Sequence, residues 1–403
     1  MRACRSERRD VSYNTKDGRP YRVVELFSGI GAQRMALLEE GIPHQVVGTS
    51  EIDRYAIRSY EAIYGDDPNL GDITQLSVLP DSDILTYSFP CLDLSIANRK
   101  ATGMAKGANR RSSLLWEVQR LLEVSAKEGT LPEWLIMENV PTVFSKKNRP
   151  VFDEWLSFLS SLGYTSEYGT LNAKDFGTAQ NRNRAYMISH LGSYCPPLPK
   201  GNGPRYVLGD ILEDEVPDKY YLSKARLSGL KESTDRQRVK GNGFSFRPLE
   251  RDEVAHTVTS RAGSRKTDNF VYEKCDQLGI AEGISGYDSL KRVYSPYGLS
   301  PTVVTGSGGN TMPKVSEDGR RIRKLTPRET WRLQGFPDWA FDRARSAGMS
   351  DAQLYRQSGN SIAVPVMGSI MRTIDDYEIA RMEGKGPKGK RKVTLDQFSE
   401  GSR

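Results

Sequence analysis

Apolar runs of strand length alternate with amphipathic stretches between residues 21 and 190. The apolar runs lie at Arg22–Phe27, Gln45–Ser50, Asp83–Phe89, Trp134–Val140 and Arg184–His190. Helical periodicity between them covers Gln33–Glu40, Ser113–Val124 and Pro150–Leu162. This alternation is typical of α/β folds and predicts a Rossmann-like domain with a mostly parallel sheet that carries helices on both faces.

The pattern changes near Cys195, where proline, glycine and short β-like runs dominate as far as about Asn310. Two segments there, Ala255–Gly263 and Ser300–Gly308, each combine a Thr-Val strand with a glycine loop. Helical periodicity returns at Arg328–Gln334. We therefore predict a smaller β-rich domain. The predicted boundaries are a flexible N-terminus (1–20), an α/β domain (21–194), the β-rich domain (195–340), a return segment completing the α/β domain (341–382) and a disordered basic tail (383–403).

Composition narrows the possible environments of the chain. Its 403 residues carry a net charge of +7 and a pI near 9.0, which suits a polyanionic partner without requiring one. No run approaches the ~20 apolar residues that span a bilayer, and Met1–Pro20 contains no apolar segment of a secretion signal. The four cysteines show no paired spacing. We expect a cytoplasmic protein with no membrane association, no disulfide framework and no metal site.

The first predicted strand ends in a glycine turn, Gly29–Gly31, and Glu51 follows the second strand. Glycines at that point let a ligand approach the backbone at the start of a helix. A carboxylate after the second strand can accept hydrogen bonds from ribose hydroxyls. Nicotinamide-dependent enzymes use the same arrangement, but the dinucleotide motif requires glycine at position 34, where this chain has Arg34.

Two further strand ends carry reactive groups. Pro90 and Cys91 follow one apolar strand, and the next ends at Glu138 and Asn139. The carboxyl ends of strands in such sheets form the ligand crevice. A thiol and a nearby acid suit conjugate addition to an electron-poor ring, although a lone cysteine is more often structural.

The segment Gln180-Asn-Arg-Asn-Arg184 leads into another apolar strand. If the segment is extended, Arg182 and Arg184 alternate onto one face. We interpret them as a cationic fork at the crevice, able to hold a base oxygen or a phosphate. The alternative is a solvated basic edge.

Taken in order, these motifs resemble the bacterial and phage DNA cytosine-5 methyltransferases. The resemblance covers residues 21–190 and 320–371 and rests on the following segments: FSGIG (Phe27–Gly31), Glu51, GDI (Gly71–Ile73), SFPC (Ser88–Cys91), MENV (Met137–Val140), QNRNR (Gln180–Arg184), RKLTPRE (Arg323–Glu329) and QSGNS (Gln357–Ser361). Each match alone is weak, but their common order makes chance improbable. One departure is Leu92, where the family usually has glutamine, and it puts loop closure in doubt.

The resemblance implies methyl transfer from S-adenosyl-L-methionine to C5 of a flipped cytosine in a specific double-stranded DNA sequence, with Cys91 as nucleophile. Glu138, Arg182 and Arg184 would act with it at the cytosine. Glu51 would hold the ribose and Asp72 the adenine. The whole implied cofactor pocket comprises Phe27, Gly29, Ile30, Gly31, Glu51, Ile52, Asp72, Ile73, Pro90, Leu114, Asn360 and Ser361.

The β-rich domain would then recognise the target sequence. Its candidate DNA-reading residues are Arg261, Arg265, Lys266, Ser307, Gly308, Gly309 and Asn310. The alternative for this cluster is a solvated surface loop. We expect a monomer, with a cognate restriction endonuclease as an optional partner.

Three rival functions stay open at this point: a tRNA cytosine-5 methyltransferase of the same fold, a non-catalytic DNA-binding relative and, more remotely, a nicotinamide-dependent oxidoreductase. Enzymes of this fold that act on tRNA carry a shorter insert between these motifs, so the long segment between QNRNR and RKLTPRE favours a DNA substrate.

Overall fold

The computed structural model describes residues 18–90, 114–239, 246–260, 268–274, 277–280, 292–294, 314–315 and 320–385. Several predicted site residues lie outside these ranges, namely Cys91, Arg261, Arg265, Lys266, Ser307, Gly308, Gly309 and Asn310. Leu92, the Ser300–Gly308 segment and most of the predicted N-terminus and basic tail also lie outside them.

The described elements follow the alternation that the sequence predicts. In chain order, the α/β part consists of β1 (Tyr21–Leu26), α1 (Ala32–Glu39), β2 (His44–Ser50), α2 (Arg54–Tyr64), β3 (Ile84–Tyr87), α3 (Leu115–Glu128), β4 (Trp134–Asn139), α4 (Arg149–Ser161), β5 (Tyr164–Asn172), β6 (Gln180–Asn181) and β7 (Asn183–Leu191). Short 3-10 turns lie at Ile73–Gln75, Pro141–Phe144, Ala173–Phe176, Leu208–Asp210 and Asp218–Tyr220.

The second half holds shorter strands and four closing helices. They are α5 (Lys224–Val239), β8 (Ala255–His256), β9 (Phe270–Lys274), β10 (Gln277–Ile280), β11 (Arg292–Tyr294), β12 (Lys314–Val315), β13 (Arg320–Lys324), α6 (Pro327–Leu333), α7 (Asp338–Ser346), α8 (Asp351–Asn360) and α9 (Val364–Met382).

The central sheet has six strands in the order β2-β1-β3-β4-β7-β5. Strands β2, β1, β3 and β4 pair in parallel, whereas β7 runs antiparallel to both β4 and β5. Strand β2 lies on one side of β1 and strand β3 lies on the other, so the direction in which successive strands are added reverses at β1. This reversal opens a crevice at the carboxyl ends of β1 and β3, where ligands bind in sheets of this kind.

Each face of the sheet carries its own core because successive strand residues point to opposite faces. On one face, Val23 and Ile84 pack with residues of α1 and α9. On the other, Val24 and Leu85 pack with residues of α3 and α4. Burial on both faces explains why the strands are near-continuous apolar runs, and it confirms the predicted helix–sheet–helix layering.

Two expectations for the second half are wrong. Residues 224–239 form a helix inside the segment predicted to be β-like, and Leu230 is its only buried side chain among the described ones. A helix that is polar all round has no apolar stripe from which it could be recognised. The predicted Thr-Val strand is also displaced, because β8 comprises Ala255 and His256 and ends before Thr257.

The segment after the β-rich region rejoins the first core. Trp331 and Phe336 are buried in the cluster that also contains Val23. Among the described helices, none combines the length and the apolar content that a bilayer crossing requires.

Candidate active site

The turn after β1 is held in a conformation that ordinary residues rarely adopt. Phe27, Gly29 and Gly31 have φ angles of 57°, 56° and 74°, and Phe27 is the one non-glycine residue with positive φ in the described ranges. A Cβ at Gly31 would lie 2.5 Å from Tyr64 Cε2, so this position admits only glycine. At Gly29 the same atom would meet nothing within 4 Å, which leaves open space above the turn.

Glu51 ties this turn to the start of α2. Its Oε2 accepts a hydrogen bond from Gly29 N at 2.9 Å. Its Oε1 accepts from Ile52 N and Asp53 N, both at 2.8 Å. The carboxylate is therefore fixed by backbone donors from two loops at the mouth of the crevice. Its neighbour Ile52 is 73% exposed, an unusual state for a large apolar side chain.

A buried polar network supports the turn from below. Tyr60 donates to Glu25 Oε2 at 2.7 Å, and burial raises the pKa of Glu25 to about 7. The Arg34 guanidinium pairs with Asp67 and lies 4.8 Å from the Tyr64 ring centre. Arg34 therefore packs on Tyr64, the same side chain that lies against Gly31.

The other predicted pocket residues are placed less uniformly. Ile30 and Ile73 are 2% and 3% exposed, so their side chains belong to the two cores. Asp72 is exposed, and its Oδ1 accepts from both Thr74 N and Thr74 Oγ1 at 2.9 Å. Leu114 packs against the second core at the start of α3.

The turn that leads to Cys91 is anchored by Asn139, a residue of the MENV motif to which the sequence assigned no role. Its Nδ2 donates to Phe89 O at 3.0 Å, and its Oδ1 accepts from Val140 N at 2.8 Å. Phe89 is buried and Pro90 follows it at the carboxyl end of β3. Asn139 therefore fixes the backbone immediately before Cys91 to the end of β4.

Glu138 and Arg184 form an ion pair at the same sheet edge. Arg184 Nε lies 3.4 Å from Glu138 Oε1, and their side chains are 16% and 11% exposed. Burial raises the pKa of Glu138, while the charges of Arg184 and then Arg182 oppose that rise. The site thus holds a carboxyl group whose neutral form is favoured by desolvation, next to a permanent cation.

Arg182 does not form the predicted fork with Arg184. Its Nη1 donates to Val258 O at 3.0 Å, and its Nη2 donates to Gly359 O at 3.1 Å and Ser361 O at 2.6 Å. The physical reason is local. Residue 182 lies between β6 and β7 rather than within a strand, so the alternation rule does not apply to it.

The segment QSGNS reaches the crevice through α2. Gln357 Nε2 donates to Tyr55 O and Ser59 Oγ, both at 2.9 Å. Asn360, which is exposed, and Ser361 follow at the end of α8. The structure therefore brings this C-terminal segment against the helix that begins directly after Glu51.

The segment RKLTPRE serves a structural role. Thr326 and Glu329 form a capping box at the start of α6. Arg323 Nη1 pairs with Glu329 Oε2 at 2.8 Å, and both side chains are fully buried. This motif joins β13, at the end of the β-rich segment, to the helices of the main core.

Comparison with known proteins now adds to this geometry. The family model described as C-5 cytosine-specific DNA methylase matches residues 21–376. The chain belongs to that family. It is accordingly a DNA cytosine-5 methyltransferase, and the rival assignment to an oxidoreductase loses its support.

The relatives agree along nearly the whole chain. The methyltransferase is similar to the type II methyltransferase M2.ScrFI of Lactococcus lactis, with 31% identity over 88% of this chain and 98% of the relative. It is also similar to the type II methyltransferase M.NlaX of Neisseria lactamica, with 32% identity over 87% and 95% of the two chains. Among solved structures, Entamoeba histolytica EhMeth superposes with a TM-score of 0.64 at 17% identity, covering 89% of this chain and 98% of that one. That likeness supports the fold, a Rossmann-like methyltransferase domain.

Proposed function

We propose that this methyltransferase modifies a cytosine flipped out of double-stranded DNA, through a covalent adduct with Cys91. The observation that carries the proposal is the Glu138–Arg184 pair at the carboxyl end of β4, next to the Asn139-anchored turn that leads to Cys91. Cytosine C5 is a weak nucleophile inside a stacked duplex. Extrusion of the base costs a few kcal/mol and gives these side chains access to it.

In the proposed reaction the Cys91 thiolate adds to C6 of the ring, which makes C5 nucleophilic. A free thiol has a pKa of about 8.5, so a nearby cation is needed to favour the thiolate, and we assign that role to Arg184. Glu138 in its protonated form donates to N3 as negative charge develops on the ring. After the methyl group is on C5, water takes the C5 proton, the C6–S bond breaks to release Cys91, and the N3 proton returns to Glu138, which restores the neutral aromatic ring.

The crevice at the carboxyl ends of β1 and β3, which Glu51 borders at the end of β2, fits S-adenosyl-L-methionine, which supplies an electrophilic methyl group when bound. Three features support the fit: the open space at Gly29, the backbone-fixed carboxylate of Glu51 and the exposed apolar face of Ile52. We assign the ribose to Glu51 and the adenine to Ile52 and Asp72. Phe27, Asn360 and Ser361 would complete the pocket.

We assign target recognition to residues 195–340, with Arg261, Arg265, Lys266 and the segment Ser307–Asn310 at the DNA. The catalytic motifs contact cytosine and cofactor, so flanking bases must be recognised elsewhere. Arginine can contact guanine in bidentate fashion, and lysine more often neutralises phosphate. The monomeric state and a role in a restriction–modification system are further parts of the proposal.

Cys91→Ser tests the covalent mechanism. The variant should lose turnover on plasmid DNA, keep DNA affinity within about threefold and form no stable adduct with DNA that contains 5-fluorocytosine. Cys195→Ala is the matched control, because Cys195 is buried and burial raises its thiol pKa to about 12. The control should retain turnover and adduct formation. Wild-type turnover in Cys91→Ser would refute the covalent route, and bisulfite sequencing of the wild-type product would identify the target.

A further inference from the structure

Gln180 and Arg182 hold one peptide unit of the β-rich segment from both sides. Gln180 is fully buried, and its Oε1 accepts from Val258 N at 2.7 Å. Arg182 is 3% exposed, and its Nη1 donates to Val258 O at 3.0 Å. Both polar groups of Val258 are therefore satisfied by side chains of the QNRNR segment.

The same two side chains also reach the C-terminal part of the chain. Gln180 Nε2 donates to Leu333 O at 3.0 Å. Arg182 Nη2 donates to Gly359 O at 3.1 Å and Ser361 O at 2.6 Å. Arg182 thus bridges Val258 to the segment that carries the proposed cofactor residues Asn360 and Ser361, whereas Gln180 bridges Val258 to the end of α6.

Direct backbone packing reinforces these bridges. A Cβ on Gly359 would lie 2.3 Å from both Ser260 N and the carbonyl carbon of Thr259. Backbone atoms cannot yield as a flexible side chain can, so residues 259–260 lie directly on the last turn of α8. Thr257 Oγ1 also donates to Asn181 O at 2.7 Å, and β6 pairs in parallel with β8.

The contacts of Gln180, Arg182 and Gly359 lie between the proposed DNA-reading cluster and the proposed cofactor pocket. Residues 255–260 lead directly into Arg261, Arg265 and Lys266, the proposed DNA-reading cluster. Gly359 and Ser361 flank Asn360 in the proposed cofactor pocket. A displacement of the recognition segment by DNA would therefore be transmitted to Ser361 through Arg182, whose three carbonyl acceptors belong to both sides.

We propose that Gln180, Arg182 and Gly359 form a coupling junction that links recognition of the target duplex to binding of the cofactor. Arg182 is then a positioning residue and Arg184 the residue that contacts the base. The inference rests on the proposed function. Coupling between two sites is reciprocal and commonly amounts to about 5–150-fold in affinity. Target DNA should tighten cofactor binding in the wild type by a factor in that range.

The test measures the affinity of S-adenosylhomocysteine by calorimetry, with and without a duplex that contains the target found by bisulfite sequencing. Arg182→Lys keeps the charge but lacks the fork that reaches three carbonyls, so the tightening by target DNA should fall to below about twofold. Arg184→Lys is the matched control and should keep the tightening while kcat falls. If Arg182→Lys keeps full tightening and loses only kcat, Arg182 acts on the base and the junction is refuted.

Gly359→Ala provides a second, independent variant because it removes no polar group. The added methyl must push residues 259–260 away from α8, so this variant should lose the tightening as Arg182→Lys does. Full tightening in folded Gly359→Ala would overturn the proposal, even if Arg182→Lys does not fold. A wild type that methylates no DNA would instead contradict the proposed function, so the two failures are distinguishable.

Discussion

Breaking the buried Arg323–Glu329 pair should strongly destabilise the boundary between the β-rich segment and the main core, because it leaves one buried charge unpaired. Glu329 Oε2 accepts from Arg323 Nη1 at 2.8 Å and Thr326 N at 2.7 Å. Its Oε1 accepts from Arg323 Nη2 at 3.0 Å and Glu213 N at 2.8 Å. Burial raises the pKa of Glu329, but four N–H donors stabilise the ionised carboxylate.

Glu329→Gln places an amide N–H₂ against these donors and leaves the Arg323 charge without its counterion. Removal of one partner from a buried pair costs about 3–5 kcal/mol. Glu117→Gln is the matched control, because Glu117 pairs with Arg120 at 2.8 Å with side chains 30% and 39% exposed. An exposed pair three residues apart contributes about 0.5 kcal/mol or less.

Urea unfolding followed by tryptophan fluorescence measures both losses, since Trp331 lies two residues from Glu329 in the same helix. A loss below about 1 kcal/mol for Glu329→Gln, or an equal loss for Glu117→Gln, would refute the argument from burial. The double variant Arg323→Met with Glu329→Leu should recover part of the loss, because no buried charge is then left unpaired.

Three further predictions concern the site. Glu51→Ala should weaken S-adenosylhomocysteine binding about 5–150-fold, since the loss of the carboxylate acceptor of a bound ribose costs about 1–3 kcal/mol; calorimetry that shows unchanged affinity would remove Glu51 from the pocket. Arg261→Ala and Arg265→Ala should each relax the target at one base or weaken all DNA binding with a shallower salt dependence; unchanged specificity, affinity and salt slope in both would support a solvated loop. Burial raises the pKa of Glu138 above the ordinary glutamate value of about 4.3. Because the protonated form is the proton donor, kcat should fall as the pH rises through that raised pKa. Glu138→Gln should lower kcat about 10²–10⁴-fold and lose this alkaline limb, and a retained limb would assign it to another group.

Much of the fold follows from local pattern. The five predicted strands agree with β1, β2, β3, β4 and β7 within two residues at each end. The reason is that strands buried on both faces must be apolar along their length, which the sequence displays directly. The glycine turn is also visible in the sequence. Positive φ and the close approach of Tyr64 require glycine at position 31, so the local structure leaves a direct trace in the residue type.

Tertiary structure alone decided which side chains meet. Arg182 and Arg184 look equivalent in sequence, yet one binds carbonyl groups as far as 179 residues away and the other pairs with Glu138. The antiparallel insertion of β7 between β4 and β5 is likewise invisible in a pattern that records burial but not strand direction. Periodicity encodes the preference of each segment for helix or strand and for the face that it buries. The choice of distant hydrogen-bond partners depends on how all segments pack together. That packing gives specific contacts to Asn139, Gln180 and Gly359, which the sequence identified only as parts of motifs.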